Sequence, residues 1–211
     1  MKKKVTKDRA ILDAATDLFL ESGYQNVSIG NIMERAGCSR ETIYRYFENK
    51  EDIFASITAL QMETYLDTMK SITTGESTDL REGLLNWSIS LLKSVTAEDY
   101  IRFRRLVISE VNSRPDHGKI YYELTYSKGT RAVSNFFLSF QQQGKLKKLD
   151  PDLLARYFVG MLLYDIMHMR VLGVRKAPSL ATIKKLAVRV VDDFLLGYAC
   201  SDYQKPDISA G

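Results

Sequence analysis

Apolar residues recur at the spacing of an α-helix along almost the whole chain, and this periodicity constrains the fold more than any other feature. Only four prolines interrupt the 211 residues, and no segment has the pattern of a strand. The pattern therefore predicts an all-α protein. In the first helix the apolar positions follow i, i+3, i+4, i+7 and i+8, which is one helical face: Ile11, Ala14, Ala15, Leu18 and Phe19.

Glycine, serine and proline positions predict where the helices begin and end. Gly23 and Gly37 are expected to follow the ends of the first two helices. Ser28 and Ser39 are placed to cap the second and third helices, and Pro151 fits the first turn of a later one. The other helices are predicted at about residues 51–70, 80–95, 98–112, 118–143, 152–172 and 180–199.

The segment 28–50 pairs two short helices across a turn that contains glycine, which is the arrangement of a helix-turn-helix. Ile43 and Phe47 would pack the second helix against the first and leave its polar residues outside. Arginine can bind guanine through two hydrogen bonds, and hydroxyl groups suit phosphates or thymine. Helix pairs of this kind also occur in proteins that bind no DNA, with Glu41 and Arg45 as an ordinary ion pair. The residues expected at the start or on the outer surface of this helix are Arg40, Glu41, Thr42, Tyr44, Arg45 and Tyr46.

Charge and composition exclude several classes of protein. A net charge of +4 permits contact with nucleic acid but is too small to indicate it. Asp13 and Asp17 interrupt the apolar stretch that a signal peptide would need, and the longest apolar run is too short for a membrane span. Cys38 and Cys200 are therefore expected to be reduced thiols in a cytoplasmic protein.

No pattern of catalytic residues is present. The sequence has no nucleophile elbow and no phosphate-binding loop, and His117 and His168 lack partners at metal-ligand spacing. We therefore expect neither an enzyme nor a protein with a metal or other cofactor.

The stretch ILDAATDLFLESGYQNVSIGNIMERAGCSRETIYRYFENKEDIF resembles the N-terminal domain of the TetR family of transcriptional regulators, over about residues 8–56. The resemblance implies a DNA-binding domain at residues 1–50 and a ligand-binding and dimerisation domain at residues 51–211. The residues in register with the family motif are Phe19, Gly23, Tyr24, Ser28, Ile32, Ala36, Gly37, Ser39, Thr42, Tyr44, Tyr46, Phe47, Lys50 and Glu51.

The resemblance also assigns roles to individual residues. It makes Ser28 a helix cap and phosphate ligand, and it places Lys50 where a phosphate contact is usual. Arg40, Glu41 and Thr42 fall where the family contacts bases or the adjacent backbone. Tyr44 and Tyr46 fall where side chains pack against phosphates or hydrogen-bond to them. The hydroxyl of Ser39, like that of Ser28, lies at a helix N-terminus that could bind a phosphate. Two residues depart from the family pattern, since Cys38 stands where Val is usual and Glu41 where Gly or Pro is frequent. The basic tail of Lys2, Lys3, Lys4 and Lys7 either reaches phosphates or is a solvated end.

The second domain is expected to bind a ligand and a second subunit. Five aromatic residues are candidates for a hydrophobic ligand cavity, although each also fits an ordinary core position: Tyr65, Trp87, Phe103, Tyr122 and Tyr126. The last two helices have apolar faces that would pair two subunits or only fill one core. The candidates for this dimer interface are Phe158, Met161, Leu162, Asp165, Met169, Ile183, Leu186, Val190 and Phe194.

These features predict a homodimeric repressor that binds a palindromic operator in double-stranded DNA and is released by a small, mainly hydrophobic effector. The helix at about residues 51–70 would transmit the effect of the ligand. The alternative is a helical protein that binds small molecules or other proteins without binding an operator.

Overall fold

The computed structural model describes residues 6–60 and 79–200, which are mostly helical. Within these ranges, extended backbone pairs at an isolated bridge between Leu146 and Ala199, and no strand is formed. The prediction of an all-α fold is therefore confirmed. The helices are α1 (Lys7–Ser22), α2 (Ile29–Ala36), α3 (Arg40–Tyr46), α4 (50–60, where the description stops), α5 (Leu80–Val95), α6 (Glu98–Glu110), α7 (Pro115–Tyr121), α8 (Lys128–Gln142), α9 (Pro151–Val171) and α10 (Leu180–Tyr198).

The chain between Pro115 and Gln142 differs in detail from the single helix predicted at 118–143. It begins earlier because Pro115 occupies the first turn of α7. A π-helical segment, Tyr122–Ser127, then joins α7 to α8. Apolar periodicity indicates a helix here but cannot distinguish a short π-helical segment from α-helix, because both keep the chain helical.

Side-chain caps begin the two C-terminal helices, and the predicted place of Pro151 in a first turn is confirmed. The Asp150 carboxylate accepts hydrogen bonds from the backbone amides of Asp152 and Leu153, and Pro151 occupies the first turn of α9. The Ser179 hydroxyl accepts from the amide of Thr182 at the start of α10. None of the helices in the described ranges has both the length and the hydropathy needed to cross a membrane.

The chain forms two compact units, and the first combines residues 1–63 with residues 99–125. It thus groups α1–α4 with α7 and most of α6, whereas the sequence-based division placed every residue after 50 in a second domain. Its buried apolar residues come from α1–α4, from the turn before α2 and from α6, and α7 adds the buried ring of His117. The buried apolar residues are Ile11, Leu12, Ala15, Phe19, Tyr24, Val27, Ile32, Ile43, Phe47, Ile53, Phe54, Ile57, Phe103, Leu106 and Val107.

The second unit combines residues 64–98 with residues 126–211 and has an aromatic centre. The rings of Phe137 and Phe194 stack with centroids 5.2 Å apart, and Phe158 lies 4.9 Å from Phe194 and 5.6 Å from Trp87. A buried ion pair between Arg81 and Asp192, 2.7 Å long, joins α5 to α10.

This core contains five of the nine residues that the sequence suggested for a dimer interface. Because their side chains are buried within the unit itself, they are not free to contact a second subunit. They are Phe158, Leu162, Ile183, Val190 and Phe194. Met161 and Asp165 are exposed, and Met169 and Leu186 are partly exposed, so these four remain candidates.

Candidate nucleic-acid interface

The N-terminus of α2 is closed by reciprocal hydrogen bonds between Ser28 and Asn31. The Ser28 hydroxyl accepts from the Asn31 amide at 3.2 Å, and the Asn31 side-chain oxygen accepts from the Ser28 amide at 2.9 Å. The predicted cap at Ser28 is thus present in the form of a capping box. Ser28 is exposed, so the positive end of the helix dipole faces solvent, where a phosphate can approach.

The turn between α2 and α3 depends on Gly37. Its φ of +62° lies in the left-handed region, which glycine enters without the strain that a Cβ atom would cause. Its amide donates to the carbonyl of Glu34, and the amide of Cys38 donates to that of Met33. Cys38 is partly buried and packs against the apolar core, as the small hydrophobic side chain in its place would.

The inner face of α3 attaches this helix to the rest of the unit. Ile43 and Phe47 are buried in the core, as predicted. Thr42 is buried as well, although the sequence pattern placed it at the start or on the outer surface. Its amide donates to the Ser39 hydroxyl at 3.2 Å, and the two hydroxyl groups are 2.9 Å apart. Thr42 therefore belongs to the cap of α3, which turns its side chain away from solvent.

The outer face of α3 presents five exposed polar or aromatic residues: Arg40, Glu41, Tyr44, Arg45 and Tyr46. The Arg40 guanidinium lies 5.5 Å from the centre of the Tyr44 ring, and that of Arg45 lies 5.7 Å from the Tyr46 ring. Cation–π contacts of this kind restrict long side chains while their donors stay available. The face thus offers two guanidinium groups and two phenol hydroxyls to a ligand that carries phosphates and base edges.

A pair of hydrogen bonds ties α1 to α2 behind this face. The Arg35 guanidinium donates to both carboxylate oxygens of Glu21, at 3.2 and 2.9 Å. The hydrogen bond from Arg35 lowers the pKa of Glu21, so the carboxylate stays charged at neutral pH. A bidentate pair fixes orientation better than a single contact, although its exposure limits its contribution to stability.

Lys50 is partly buried, and its ammonium group has hydrogen-bond partners within the unit. Its ammonium group donates to the carbonyl of Tyr24 at 2.9 Å and to that of Val27 at 2.7 Å. The same group lies 4.2 Å from the centre of the Tyr24 ring. Desolvation by burial lowers the pKa of Lys50. The phosphate contact that the resemblance implies for Lys50 stays a prediction, and in the chain without DNA the ammonium group binds these two carbonyls.

The corner between α6 and α7 contacts the same region, and the sequence did not reveal this. Arg114 donates to the Glu51 carboxylate at 2.9 Å, and the Gln25 side chain donates to Glu110 at 3.1 Å. These contacts join residues 63 and 85 positions apart, a distance at which no local pattern operates. The one local signal nearby is Pro115, which occupies the first turn of α7 and so marks the corner in the sequence.

His117 lies in the same corner, inside the core of the first unit. Its ring stacks on Phe54 with centroids 4.0 Å apart and meets the Tyr24 ring edge-on at 4.3 Å. Neither ring nitrogen has a hydrogen-bond partner. Burial lowers the pKa of His117, and the nearby Arg114 charge lowers it further. The neutral form is therefore the one that this core accommodates.

The candidate ligand residues occupy different environments. Trp87 is buried in the core of the second unit, and Phe103 in that of the first. Tyr122 and Tyr126, both within the π-helical segment, are exposed. Tyr65 lies outside the described residues.

Two family models match this chain, and together they span most of it. Residues 11–57 match the model of bacterial regulatory proteins of the tetR family. Residues 82–200, more than half of the chain, match the model of the C-terminal domain of AefR-like transcriptional repressors. The first match contains α2, α3 and both serine caps.

Individual relatives and solved structures are also similar to this chain. Over 70 residues the chain is 39% identical to the fatty acid metabolism regulator protein of Bacillus subtilis strain 168, covering 33% of this chain but only 36% of that protein. The structure of a Mesorhizobium loti MAFF303099 protein assigned to the TetR family superposes with a TM-score of 0.80 and 29% identity, covering 92% of this chain and 96% of that one. The flavonoid-responsive regulator FrrA shares the fold, with a TM-score of 0.76, 24% identity and coverage of 92% and 97%. On these matches and the geometry of α2 and α3, the chain belongs to the TetR family of transcriptional regulators.

Proposed function

We propose that this protein is a homodimeric repressor that binds a palindromic operator and is released by a small, mainly hydrophobic effector. The observation that carries the proposal is the exposed outer face of α3. Serine caps begin both α2 and α3, and the inner face of α3 is buried in the core. We assign DNA binding to residues 1–50 and ligand binding with dimerisation to residues 51–211. The α6–α7 corner supports the DNA-binding part from outside that range.

The exposed residues of α3 supply the chemistry of operator recognition. Arg40 and Arg45 can each donate two hydrogen bonds to a guanine, and Glu41 can accept from cytosine. The hydroxyl groups of Tyr44 and Tyr46 suit phosphates, which fix the register of the helix in the major groove. Ser28 and Ser39 place helix N-termini beside the same surface.

Dimerisation is proposed to use an exposed apolar stripe on α9. Leu153, Tyr157, Met161 and Tyr164 follow one another at intervals of three or four residues and are 37–72% exposed. Residues at that spacing share one helical face, and apolar patches of this kind mark interaction sites. On α10, Leu196 adds an apolar side chain that is 54% exposed. A two-fold dimer would present two copies of α3 to a palindrome, about one DNA turn apart.

The proposed effector is an apolar molecule with a few polar groups. The names of two similar proteins refer to fatty acid metabolism and to a response to flavonoids, and both compound classes fit that description. Trp87, Tyr122 and Tyr126 remain candidate contacts, together with Tyr65 and Phe103. Aromatic side chains of this type are common in cavities that bind hydrophobic ligands.

Release would follow from coupling between ligand and operator binding. In one conformation the two α3 helices have the spacing that fits the operator, and in the other they do not. A ligand that binds the second conformation more tightly lowers operator affinity, and the size of the effect is set by the difference between its affinities for the two. We expect α4 to transmit the change. The contacts of Arg114 with Glu51 and of Glu110 with Gln25 give a second connection, from the α6–α7 corner to the start of α4 and the turn before α2.

Fluorescence anisotropy on duplex DNA from upstream of the protein's own gene tests this function. We expect tight binding that survives unrelated competitor DNA and is weakened roughly 5- to 150-fold by Arg40→Ala, which removes a donor pair worth roughly 1–3 kcal/mol. Arg131→Ala, which removes an exposed arginine on α8, is the control and should bind like the wild type. Palmitate and a flavonoid then serve as probes of release. A protein that binds either probe but no DNA sequence specifically would contradict the proposal.

A further inference from the structure

One side chain of α7, the imidazole ring of His117, packs against two other elements of the first unit at once. It is 1% exposed. Its ring is stacked on that of Phe54 in α4, with centroids 4.0 Å apart and an angle of 14° between the planes. On another side it meets the Tyr24 ring nearly at right angles, at 4.3 Å. Tyr24 begins the turn that leads to Ser28 and α2, so His117 connects α4 to this turn.

Backbone and side-chain contacts fix the place of His117 within the α6–α7 corner. The Arg114 amide donates to the Glu110 carbonyl at 2.7 Å, and the His117 amide donates to the Arg114 carbonyl at 3.1 Å. The Arg114 side chain binds the Glu51 carboxylate at the start of α4. The corner therefore holds the imidazole ring in this place.

The surroundings of this ring suit its neutral form and oppose its charged form. Among the described residues, neither nitrogen of His117 has a hydrogen-bond partner. Protonation would convert the acceptor nitrogen into a second donor, and it would leave two N–H groups and a positive charge without such a partner. Buried charges are tolerated when they are paired and hydrogen-bonded. The imidazolium form would therefore be stabilised by moving out of the core towards water.

Two positive charges already lie near the Tyr24 ring that His117 contacts. The ammonium group of Lys50 is 4.2 Å from the ring centre, and the guanidinium of Arg114 is 6.0 Å from it. A third cation at this place would be repelled by both. Burial lowers the pKa of His117, and the Arg114 charge lowers it further, although three carboxylates act in the opposite direction. The titratable and charged groups on the packed elements are Arg114 and Asp116 in the α6–α7 corner, Glu110 in α6, Lys50 and Glu51 in α4, and Tyr24.

We propose that His117 is a positioning residue of the first unit: its neutral ring holds α4 against the turn before α2, and its protonation releases this contact and weakens operator binding. The inference rests on the proposed operator binding, and it adds the proton as a regulator separate from the hydrophobic effector. When the charged ring leaves the core, Phe54 and Tyr24 lose the partner that they share. The N-terminus of α2, and α3 beyond the turn at Gly37, are then no longer fixed relative to α4.

The pH dependence of operator affinity tests this role, with the duplex from upstream of the protein's own gene and constant ionic strength. Acid adds positive charge to a protein and ordinarily strengthens its binding to DNA. We expect the opposite for the wild type. Affinity should be constant above about pH 6.5 and should fall roughly threefold or more by about pH 5, with a limit of about tenfold per pH unit for one proton. Circular dichroism at each pH checks that the chain stays folded.

Two variants assign the effect to one residue, because the chain contains two histidines. His117→Phe keeps an aromatic ring but cannot be protonated, so its operator affinity should not fall at acid pH. His168→Gln, at an exposed position on α9, should keep the wild-type profile. A wild-type affinity that is constant or rises towards acid pH, or a fall of equal size in His117→Phe, would overturn the proposal.

A measurement on the wild type covers the case in which His117→Phe does not fold. The ring resonances of His117 give its pKa by NMR in the free protein and in the complex with the same duplex. If the operator binds the form with the neutral ring, linkage requires a lower pKa in the complex. The negative charge of DNA alone would raise this pKa. An equal or higher pKa in the complex would contradict the proposal.

The same titration without DNA separates this inference from the proposed function. If the wild type binds no DNA sequence specifically, the proposed function fails. The amide resonances of residues 24–31 and 50–57 should still shift with the midpoint of the His117 titration, because both elements lose their contact with the ring. Amide resonances that stay in place through this titration would overturn the positioning role.

Discussion

The hydroxyl groups of Ser28 and Ser39 show how single residues determine the geometry of the DNA-binding surface. Each hydroxyl accepts a hydrogen bond from a backbone amide at the start of a short helix, with eight residues in α2 and seven in α3. Helices this short have few internal hydrogen bonds and are marginal on their own, so each cap supplies a large share of the local stability. The same two serines lie where α2 and α3 present their N-termini to a phosphate.

Ser28→Ala is expected to lower the free energy of unfolding by about 1 kcal/mol, because it removes the N-cap of α2. Urea denaturation of the variant and the wild type measures the difference. Ser22→Ala is the control, since Ser22 is exposed at the end of α1 and should change stability by less than about 0.5 kcal/mol. Equal stabilities of the two variants would show that the cap contributes little.

The stability of the protein is expected to decrease as the pH falls below about 6.5, because of His117. The unfolded chain binds a proton at His117 near this ordinary pKa, whereas burial lowers the pKa in the folded state. The unfolded state then binds more protons, so acid favours unfolding, by up to about 1.4 kcal/mol per pH unit for one proton. The contribution of His117 to the free energy of unfolding is therefore fully present above about pH 6.5 and is lost as the pH falls. Of the charged groups nearby, Arg114 opposes protonation, while Glu51, Glu110 and Asp116 favour it.

His117→Phe, which keeps an aromatic ring in this place, should flatten the profile of unfolding free energy between pH 6.5 and 5. Chemical denaturation at several pH values gives this slope for variant and wild type. Only the difference in slope matters, because the added volume of phenylalanine changes stability at every pH. Parallel profiles would mean that another group is responsible for the acid sensitivity.

At the residue scale, a contact can be predicted from the sequence when its two partners are close along the chain. The caps at Ser28 and Ser39 were predictable because each involves a partner three residues away. The carbonyl partners of Lys50 lie 26 and 23 residues away, and the ring partners of His117 are Tyr24 and Phe54. No periodicity or motif encodes such pairs, so the sequence alone did not predict these contacts.

At the scale of elements, amphipathicity predicts which helices form but not what their apolar faces contact. The faces of α9 and α10 proposed for a dimer contain Phe158, Leu162 and Phe194, which are instead buried within the second unit. The exposed stripe of α9 lies on a different face of the same helix and includes Tyr157 and Tyr164. A sequence pattern predicts that an apolar residue is buried, but not whether its own chain or a second subunit buries it.

The ion pair between Arg81 and Asp192 makes a prediction about the connection of α5 to α10. Asp192 is fully buried and Arg81 partly buried, with two hydrogen bonds between them. Asp192→Ala removes one member of a buried pair and should lower the free energy of unfolding by roughly 3 kcal/mol. Thermal and urea denaturation give this value.

The neighbouring Asp193 provides the control for this substitution. Its carboxylate is 43% exposed and lies 3.8 Å from the still more exposed Arg189, so Asp193→Ala should cost less than about 1 kcal/mol. Similar losses in both variants would indicate that charge, and not the buried connection, determines the effect.

At the scale of the whole molecule, operator binding and dimerisation are expected to depend on each other. One α3 helix of seven residues offers few base contacts, and a palindrome doubles them only when two subunits are joined. The exposed stripe of α9 is the surface that we assign to this association.

Tyr164→Glu is expected to produce a monomer, because it places a charge on the most exposed side chain of the stripe, which is 72% exposed and lies at the C-terminal end of the stripe. Sedimentation velocity should then give a mass near 24 kDa, where the wild type gives about twice the 24.1 kDa of one chain. Operator affinity of the variant should also fall, because the dimer is lost. Leu138→Glu, at a 42% exposed position on α8, controls for the added charge. A Tyr164→Glu variant that remains dimeric would place the interface elsewhere.

Selection of binding sites from random duplex DNA, with the purified full-length protein, is the sharpest test of operator recognition by α3. We expect enrichment of one two-fold symmetric motif whose half-sites lie about 10 base pairs apart, centre to centre. Arg40→Ala and Tyr44→Phe should weaken or change this motif, since both residues lie on the exposed face of α3. If no motif is enriched, or if both variants select the same motif as strongly as the wild type, α3 does not read an operator and the proposed function is wrong.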